Sequence, residues 1–234
     1  MRSWGVVSPT VRMPPVSEAL PLGEKPAGYY GQERQSLVDE LPKPLGRVLD
    51  VGCGEGGANG PLRDAGATRI TGVEIQPEAA AKAAKVYDRV EVGDAREALM
   101  GISDEFDTIL CYDVLEHLVD PGAILGRLRE LVAASGHLHV SVPNARHWSL
   151  AGDLIVRGTF GYTEMGHRDA THIRWFTRKD MQRLLGQAGW AVEGSTSSMT
   201  HRLRELRFKV PAAVSNGVAG EFFGRVWYLL ARPA

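Results

Sequence analysis

The chain is poor in cysteine, with only Cys53 and Cys111 in 234 residues. Both sit among apolar neighbours without CxxC or Cys/His spacing, so neither a disulfide framework nor a zinc site is read, and a reducing cytoplasm fits best. An excess of one charge is also lacking: 27 Lys+Arg stand against 28 Asp+Glu, a net charge of -1. Phosphate recognition leaves a basic excess, so this balance argues against a dedicated nucleic-acid binder. No apolar run approaches the roughly 18 residues of a membrane span, and Met1 to Thr10 has no apolar block of signal-peptide length. The expectation is a cytoplasmic protein that uses neither membrane nor nucleic acid. The length suits one large domain, with or without an extension.

Proline and glycine are present and unevenly placed. Seven of the 13 prolines (Pro9, Pro14, Pro15, Pro21, Pro26, Pro42 and Pro44) fall in the first 44 residues. Proline fixes φ and removes a donor, so residues 1–28 are expected to form an irregular arm ahead of a single domain over 29–234. Leu37, Val38 and Leu41 then fall at helical spacing, predicting a short helix that ends before Pro42. After Pro44 strand-like and helix-like runs alternate. Strands are predicted at 47–51, 69–74, 89–92, 106–111 and 137–142, with helices over 57–65, from Pro77 to Lys85, and from Pro121 through Val132, with Gly136 as its breaker. This alternation implies right-handed crossovers and a doubly wound parallel sheet. Residues 143–177 lose the rhythm and read as an irregular or helical insertion. A helix over 178–188 and strands over 190–196 and 225–232 follow.

The turn after the first predicted strand reads Asp50-Val-Gly52-Cys53-Gly54-Glu-Gly56-Gly57. Glycines between a strand and a helix let the backbone approach a nucleotide closely. Their spacing satisfies both G-x-G-x-x-G and G-x-G-x-G and does not choose between ligands. Three carboxylates at successive strand ends do. Glu74, 24 residues after Asp50, suits a pair of ribose hydroxyls, and Asp94 suits an adenine amine. Asp50 stands two residues before the first glycine, a poor place beside a pyrophosphate and a good one beside a sulfonium and its ammonium group.

Over these residues the chain resembles the class I S-adenosylmethionine-dependent methyltransferases. Val48 to Gly56 matches the first motif, Gly72-Val-Glu74-Ile75 the second, Val92-Gly93-Asp94-Ala95 the third, and Phe106 to Leu118, with its V-L-E-H form, the fourth. The resemblance implies a Rossmann-like seven-stranded, mostly parallel α/β sheet whose last strand is antiparallel. It also implies S-adenosyl-L-methionine as cofactor, lying across the strand ends. Carried over by residue, Asp50, Gly52, Cys53, Gly54 and Gly56 hold the methionine part. Glu74 and Ile75 take the ribose, and Gly93, Asp94 and Ala95 the adenine. Cys111, Asp113 and His117 line the transfer side, and Tyr30 and Arg34 cover the donor. Asp113 and His117 are conceivable metal ligands, but the resemblance turns them to the donor, so no metal is expected.

Beyond Pro143, the run Asp169-Ala-Thr171-His172-Ile-Arg174-Trp-Phe-Thr is similar to an element of methyltransferases of glycan and natural-product pathways. Arg146, Trp148, Tyr162 and Arg174 are the candidate acceptor-binding residues there. His172 is the candidate general base, with His167 and His147 behind it. The basic run from His201 to Lys209 is read as an amphipathic surface helix or a contact for a phosphorylated carrier. The expected activity is O-methylation of a small molecule, a sugar or natural-product intermediate, free, nucleotide-linked or carrier-bound. Alternatives are N-methylation of a small amine, a NAD(P)-dependent oxidoreductase, which Asp50 and Asp94 disfavour, and a non-catalytic donor-binding scaffold.

Overall fold

The structure, a computed structural model, describes residues 34–163, 166–200 and 217–234. The arm over 1–28, Tyr30 and the basic run from His201 lie outside the described residues. Apolar side chains on both faces create the sheet. In β1 (Gly46–Val51) and β4 (Phe106–Tyr112), Val48, Leu110 and Tyr112 enter one buried cluster, while Leu49, Val51, Ile109 and Cys111 enter another. A strand covered on both faces reads as a continuous hydrophobic run. The first cluster closes against α1 (Gln35–Val38) and α2 (Asn59–Asp64) through Val38 and Leu62. The second takes Leu125 and Leu128 of α5 (Pro121–Leu131) and Leu185 of α7 (Arg178–Gln187).

The seven strands lie in the order β3-β2-β1-β4-β5-β7-β6, with β2 at Ala67–Glu74, β3 at Arg89–Val92, β5 at Val132–Pro143, β6 at Trp190–Ser197 and β7 at Val226–Pro233. β7 alone runs antiparallel to its neighbours, as expected. Two helices cross back along the near edge: α3 (Pro77–Ala83), opened by Pro77, and α4 (Ala95–Met100).

Two local expectations change. α4 was not predicted. It is one short segment fixed at its start, where the Asp94 carboxylate accepts from Arg96 N at 2.8 Å. β5 begins at Val132, directly after α5, and Gly136 lies inside it. A Cβ at Gly136 would sit 2.7 Å from Val132 Cγ2 and 2.9 Å from Asp107 O, so the glycine admits a close strand approach where the β4–β5 register shifts. The segment after Pro143 is partly helical: α6 (Trp148–Gly152) runs into a π-helical turn over Asp153–Arg157, and α8 (Val218–Phe223) precedes β7. This excursion leaves and re-enters at one point. Asn144 bridges Phe176, Ala145 N donates to Phe176 O at 3.0 Å, and Asn144 Nδ2 donates to the carbonyls of Glu221 and Gly224, each at 2.8 Å.

Candidate active site

The carboxyl ends of β1, β2 and β4 open onto a cavity of ≈320 Å³. Its floor is the turn after β1. Gly52, with φ 74°, has no room for a Cβ, which would overlap Val114 Cγ2. The turn is held by β2: Gly52 N and Cys53 N donate to Val73 O at 2.8 and 3.1 Å, and Gly54 N donates to Glu74 Oε2 at 2.8 Å. The other oxygen of Glu74 accepts from Gln76 N at 2.9 Å. One buried carboxylate therefore shapes both the β1 and the β2 ends.

Gly52, Gly54, Glu74 and Ile75 line the cavity, as do Gly93, Asp94 and Ala95 at its far side. Asp113, His117 and Arg34 complete the predicted residues found in its wall. Among the described residues, the remaining predicted donor residues lie elsewhere. Asp50 is buried behind the turn, where its Oδ2 accepts from Tyr87 OH at 2.7 Å and its Oδ1 lies 3.8 Å from Arg34 Nη1. Burial pushes its pKa up, and Arg34 and the Tyr87 hydroxyl oppose that push. The Cys53 and Cys111 thiols are buried in the two clusters, so burial drives both far above the ordinary thiol range. Gly56, with φ 80°, packs against Ala83 and Val86 at the end of α3.

These residues fit S-adenosylmethionine. A nucleoside needs a wall without side chains, and a Cβ at Gly93 would have no atom within 4 Å. Ribose hydroxyls need a carboxylate, which Glu74 supplies in the wall, a sulfonium and its ammonium need another, which Asp113 supplies, and Arg34 suits the donor carboxylate. Asp94 already caps α4 through one oxygen. Sequence reasoning missed Gln76, Val114, Leu118 and Thr171, which also line the cavity. Gln76 adjoins the second motif, while Val114, Leu118 and Thr171 stand inside quoted runs, and that position was the available signal.

The acceptor-side residues divide into two groups. His147 caps α6, accepting from Ser149 N, and Ser149 Oγ lies 2.8 Å from His147 Nδ1 and 3.1 Å from His167 Nε2. Burial, then the neighbouring His167 and Arg225, push the His147 pKa down to about 4. Burial and Arg168 lower that of His167. Neither histidine lines the cavity. The second group adjoins it. The rings of His117 and His172 meet edge to face at 4.7 Å, and His172 Nε2 lies 3.9 Å from Glu116 Oε1. Backbone N–H groups of Ile173 and Arg174 both donate to Glu116 O at 3.0 Å, clamping this segment to the turn after β4.

Of the candidate acceptor binders, Arg146 pairs with Glu221 Oε2 at 3.1 Å and lies over the Phe222 ring, and the Arg174 guanidinium donates to Val119 O. Trp148 is exposed, and Tyr162 meets Phe160, which in turn meets Trp175. None of the four lines the cavity.

Comparison with known proteins agrees with this arrangement. The family described as methyltransferase domain matches residues 24–194. A ubiquinone biosynthesis O-methyltransferase of Azorhizobium caulinodans is 32% identical over 175 residues, covering 70% of this chain and 65% of its own length. The same-named protein of Thiobacillus denitrificans is 31% identical over 202 residues, covering 78% and 81%. The match to the first relative thus spans slightly less than two thirds of that protein. A solved S-adenosylmethionine-dependent methyltransferase from Clostridium acetobutylicum superposes with a TM-score of 0.58 over 82% of this chain and 85% of its own, at 13% identity, which is a likeness of fold. With its strand order, its glycine turn held by Glu74 and the matched domain, the chain belongs to the class I S-adenosylmethionine-dependent methyltransferase family.

Proposed function

We propose that this protein transfers a methyl group from S-adenosylmethionine to an oxygen of a small molecule, a sugar or natural-product intermediate. The carrying observation is the His117–His172 ring pair beside the donor cavity, next to buried Glu116. S-adenosylmethionine, when bound, supplies an electrophilic methyl carbon. Gly52, Gly54 and Glu74 fix the donor's orientation, Arg34 its carboxylate, and Asp94 its adenine edge. The acceptor hydroxyl is placed at the His117 end, and His172 takes its proton as the nucleophile attacks in line. Alignment alone is worth up to roughly 7–11 kcal/mol in ideal cases, and a positioned base adds about 10²–10⁴-fold. The relatives, named O-methyltransferases, support an oxygen acceptor.

The test supplies S-adenosylmethionine with a panel of catechols, phenols, sugars and amines and follows S-adenosylhomocysteine. O-methylated product, reduced about 100-fold or more in His172→Gln with donor binding retained, is expected. Methylation confined to amines overturns the oxygen assignment. Unchanged turnover in His172→Gln removes that residue from proton transfer.

A further inference from the structure

Among the described residues, Asp113 is the one non-glycine residue with a positive φ, at 55°. Side chains avoid that left-handed backbone, and where one adopts it the surrounding structure must hold it there. Asp113 stands directly after β4, where the donor cavity opens, and lines the cavity wall. What holds it is on the next strand. Ser141 of β5 pairs in register with Tyr112, the last residue of β4, and with Tyr228 of β7 on its other side. Its hydroxyl donates to Asp113 Oδ1 at 2.8 Å and accepts from Asp113 N at 3.0 Å. One hydroxyl thus fixes both the main chain and the carboxylate of a single residue. Ser141 is itself 1% exposed, and a buried hydroxyl costs stability unless it is bonded, a demand that alanine would not make. Ser141 does not line the cavity. Its hydroxyl serves Asp113.

We propose that Ser141 is a positioning residue for the donor: its hydroxyl holds Asp113 in the left-handed turn so that the carboxylate faces the ammonium group of S-adenosylmethionine. This role rests on Asp113 being the partner of the ammonium and is the same for an oxygen or a nitrogen acceptor.

The two carboxylate oxygens divide the work. Ser141 engages Oδ1, which leaves Oδ2 for a cation in the cavity. Arg34 stands in the same wall, and although burial works against its charge, Asp50 and then Asp113 raise its pKa. A cation and an anion in one wall match the zwitterionic end of the donor, its carboxylate to Arg34 and its ammonium to Asp113. Without the hydroxyl, Asp113 N loses its acceptor and the carboxylate loses its tie to β5, so the backbone relaxes toward negative φ and the carboxylate leaves its place. The nucleoside end is held separately. Glu74 and Asp94 belong to the ends of β2 and β3, and Val114 packs over Gly52, where its Cγ2 fills the space a Cβ would take.

The full chain is titrated calorimetrically with S-adenosylhomocysteine and with methylthioadenosine, which keeps the nucleoside and its sulfur but has no amino-acid end. In Ser141→Ala, S-adenosylhomocysteine is expected to bind about tenfold more weakly, with methylthioadenosine within about twofold of wild type. Equal weakening of both ligands overturns the positioning role, since a hydroxyl that merely supports the sheet acts on both. Unchanged binding of both overturns it as well. Asp113→Asn is expected to lose S-adenosylhomocysteine affinity by itself, and adding Ser141→Ala to it should change that affinity by no more than about twofold, because the charge being positioned is already gone. A further loss as large as in Ser141→Ala alone overturns action through Asp113, and wild-type affinity in Asp113→Asn overturns the ammonium contact. No acceptor enters these measurements, so the oxygen assignment stands or falls apart from them.

Discussion

Replacing Glu74 with Gln tests whether one carboxylate both shapes the donor cavity and binds the donor. The two side chains are nearly isosteric, so packing is preserved. Glu74 accepts from Gly54 N through Oε2 and from Gln76 N through Oε1. An amide has one oxygen and one NH₂ group, so it serves one of those donors and turns an NH₂ toward the other. A buried donor left without an acceptor costs about 1–3 kcal/mol. For a chain of this size that lowers Tm by roughly 2–4 °C per kcal/mol, a fall of about 2–12 °C in the ligand-free protein. Donor binding suffers further, because hydrogen bonds to a charged group are worth about 1.5–3 kcal/mol. Losing about 2 kcal/mol of that corresponds to roughly 30-fold weaker binding. Isothermal titration with S-adenosylhomocysteine and differential scanning calorimetry read the two effects separately. Wild-type affinity in Glu74→Gln would refute the assignment of this carboxylate to the ribose, and an unchanged Tm would refute its role in holding the turn.

Other perturbations probe separate parts. Gly52→Ala forces a side chain into a left-handed backbone and against the stiff Val114. About 1–2 kcal/mol of strain is expected from the backbone alone, with roughly tenfold weaker S-adenosylhomocysteine binding, and affinity equal to wild type would count against the close approach. Asn144→Ala removes bonds to Glu221 O, Gly224 O and Arg146 N, so denaturant unfolding should show a loss of about 3 kcal/mol at about 1 kcal/mol each. His147 is held neutral in the fold, its pKa down at about 4 from 6.5. Below pH 6.5 the unfolded chain takes up a proton that the folded chain refuses, so this contribution to stability is full above pH 6.5 and fades as pH falls toward 4, by about 3 kcal/mol. Urea unfolding at pH 7 and pH 4.5 measures that slope, and His147→Asn, which keeps a capping acceptor, should flatten it.

The donor half was legible because its chemistry is local. A glycine turn, a carboxylate at the end of the next strand and another beyond β3 are spaced by the βα repeat itself, and the structure sets Gly52, Gly54, Glu74 and Asp94 around one cavity. Residues whose side chains face away from the turn were placed less well. Cys53 and Cys111 adjoin the site in sequence, but strand alternation sends the Cys111 thiol into the core and the turn after β1 folds that of Cys53 into the other cluster. The acceptor half was less legible because it is assembled across distance. Glu116 and His172 are 56 positions apart and meet only because two backbone N–H groups dock on the Glu116 carbonyl, an arrangement without any periodic signal. His147 and His167 were grouped with His172 by composition alone, whereas α6 turns His147 to cap its own helix. α4 went unread because six residues carry too little apolar periodicity to be distinguished from a loop.

The joined feet of the excursion between Asn144 and Phe176 have a consequence for engineering. Since entry and exit share a bridge and the Asn144 amide secures the base to the carbonyls before β7, the sheet does not depend on what the intervening chain does. The segment is an exchangeable cassette, and doubling its length adds only about 0.6 kcal/mol of closure entropy. A graft needs to retain two consecutive N–H donors for the Glu116 carbonyl to remain registered on the strand ends. On the proposed reading, acceptor preference can then be rewritten in one stretch of chain, provided that the graft keeps Thr171, which the excursion lends to the donor cavity.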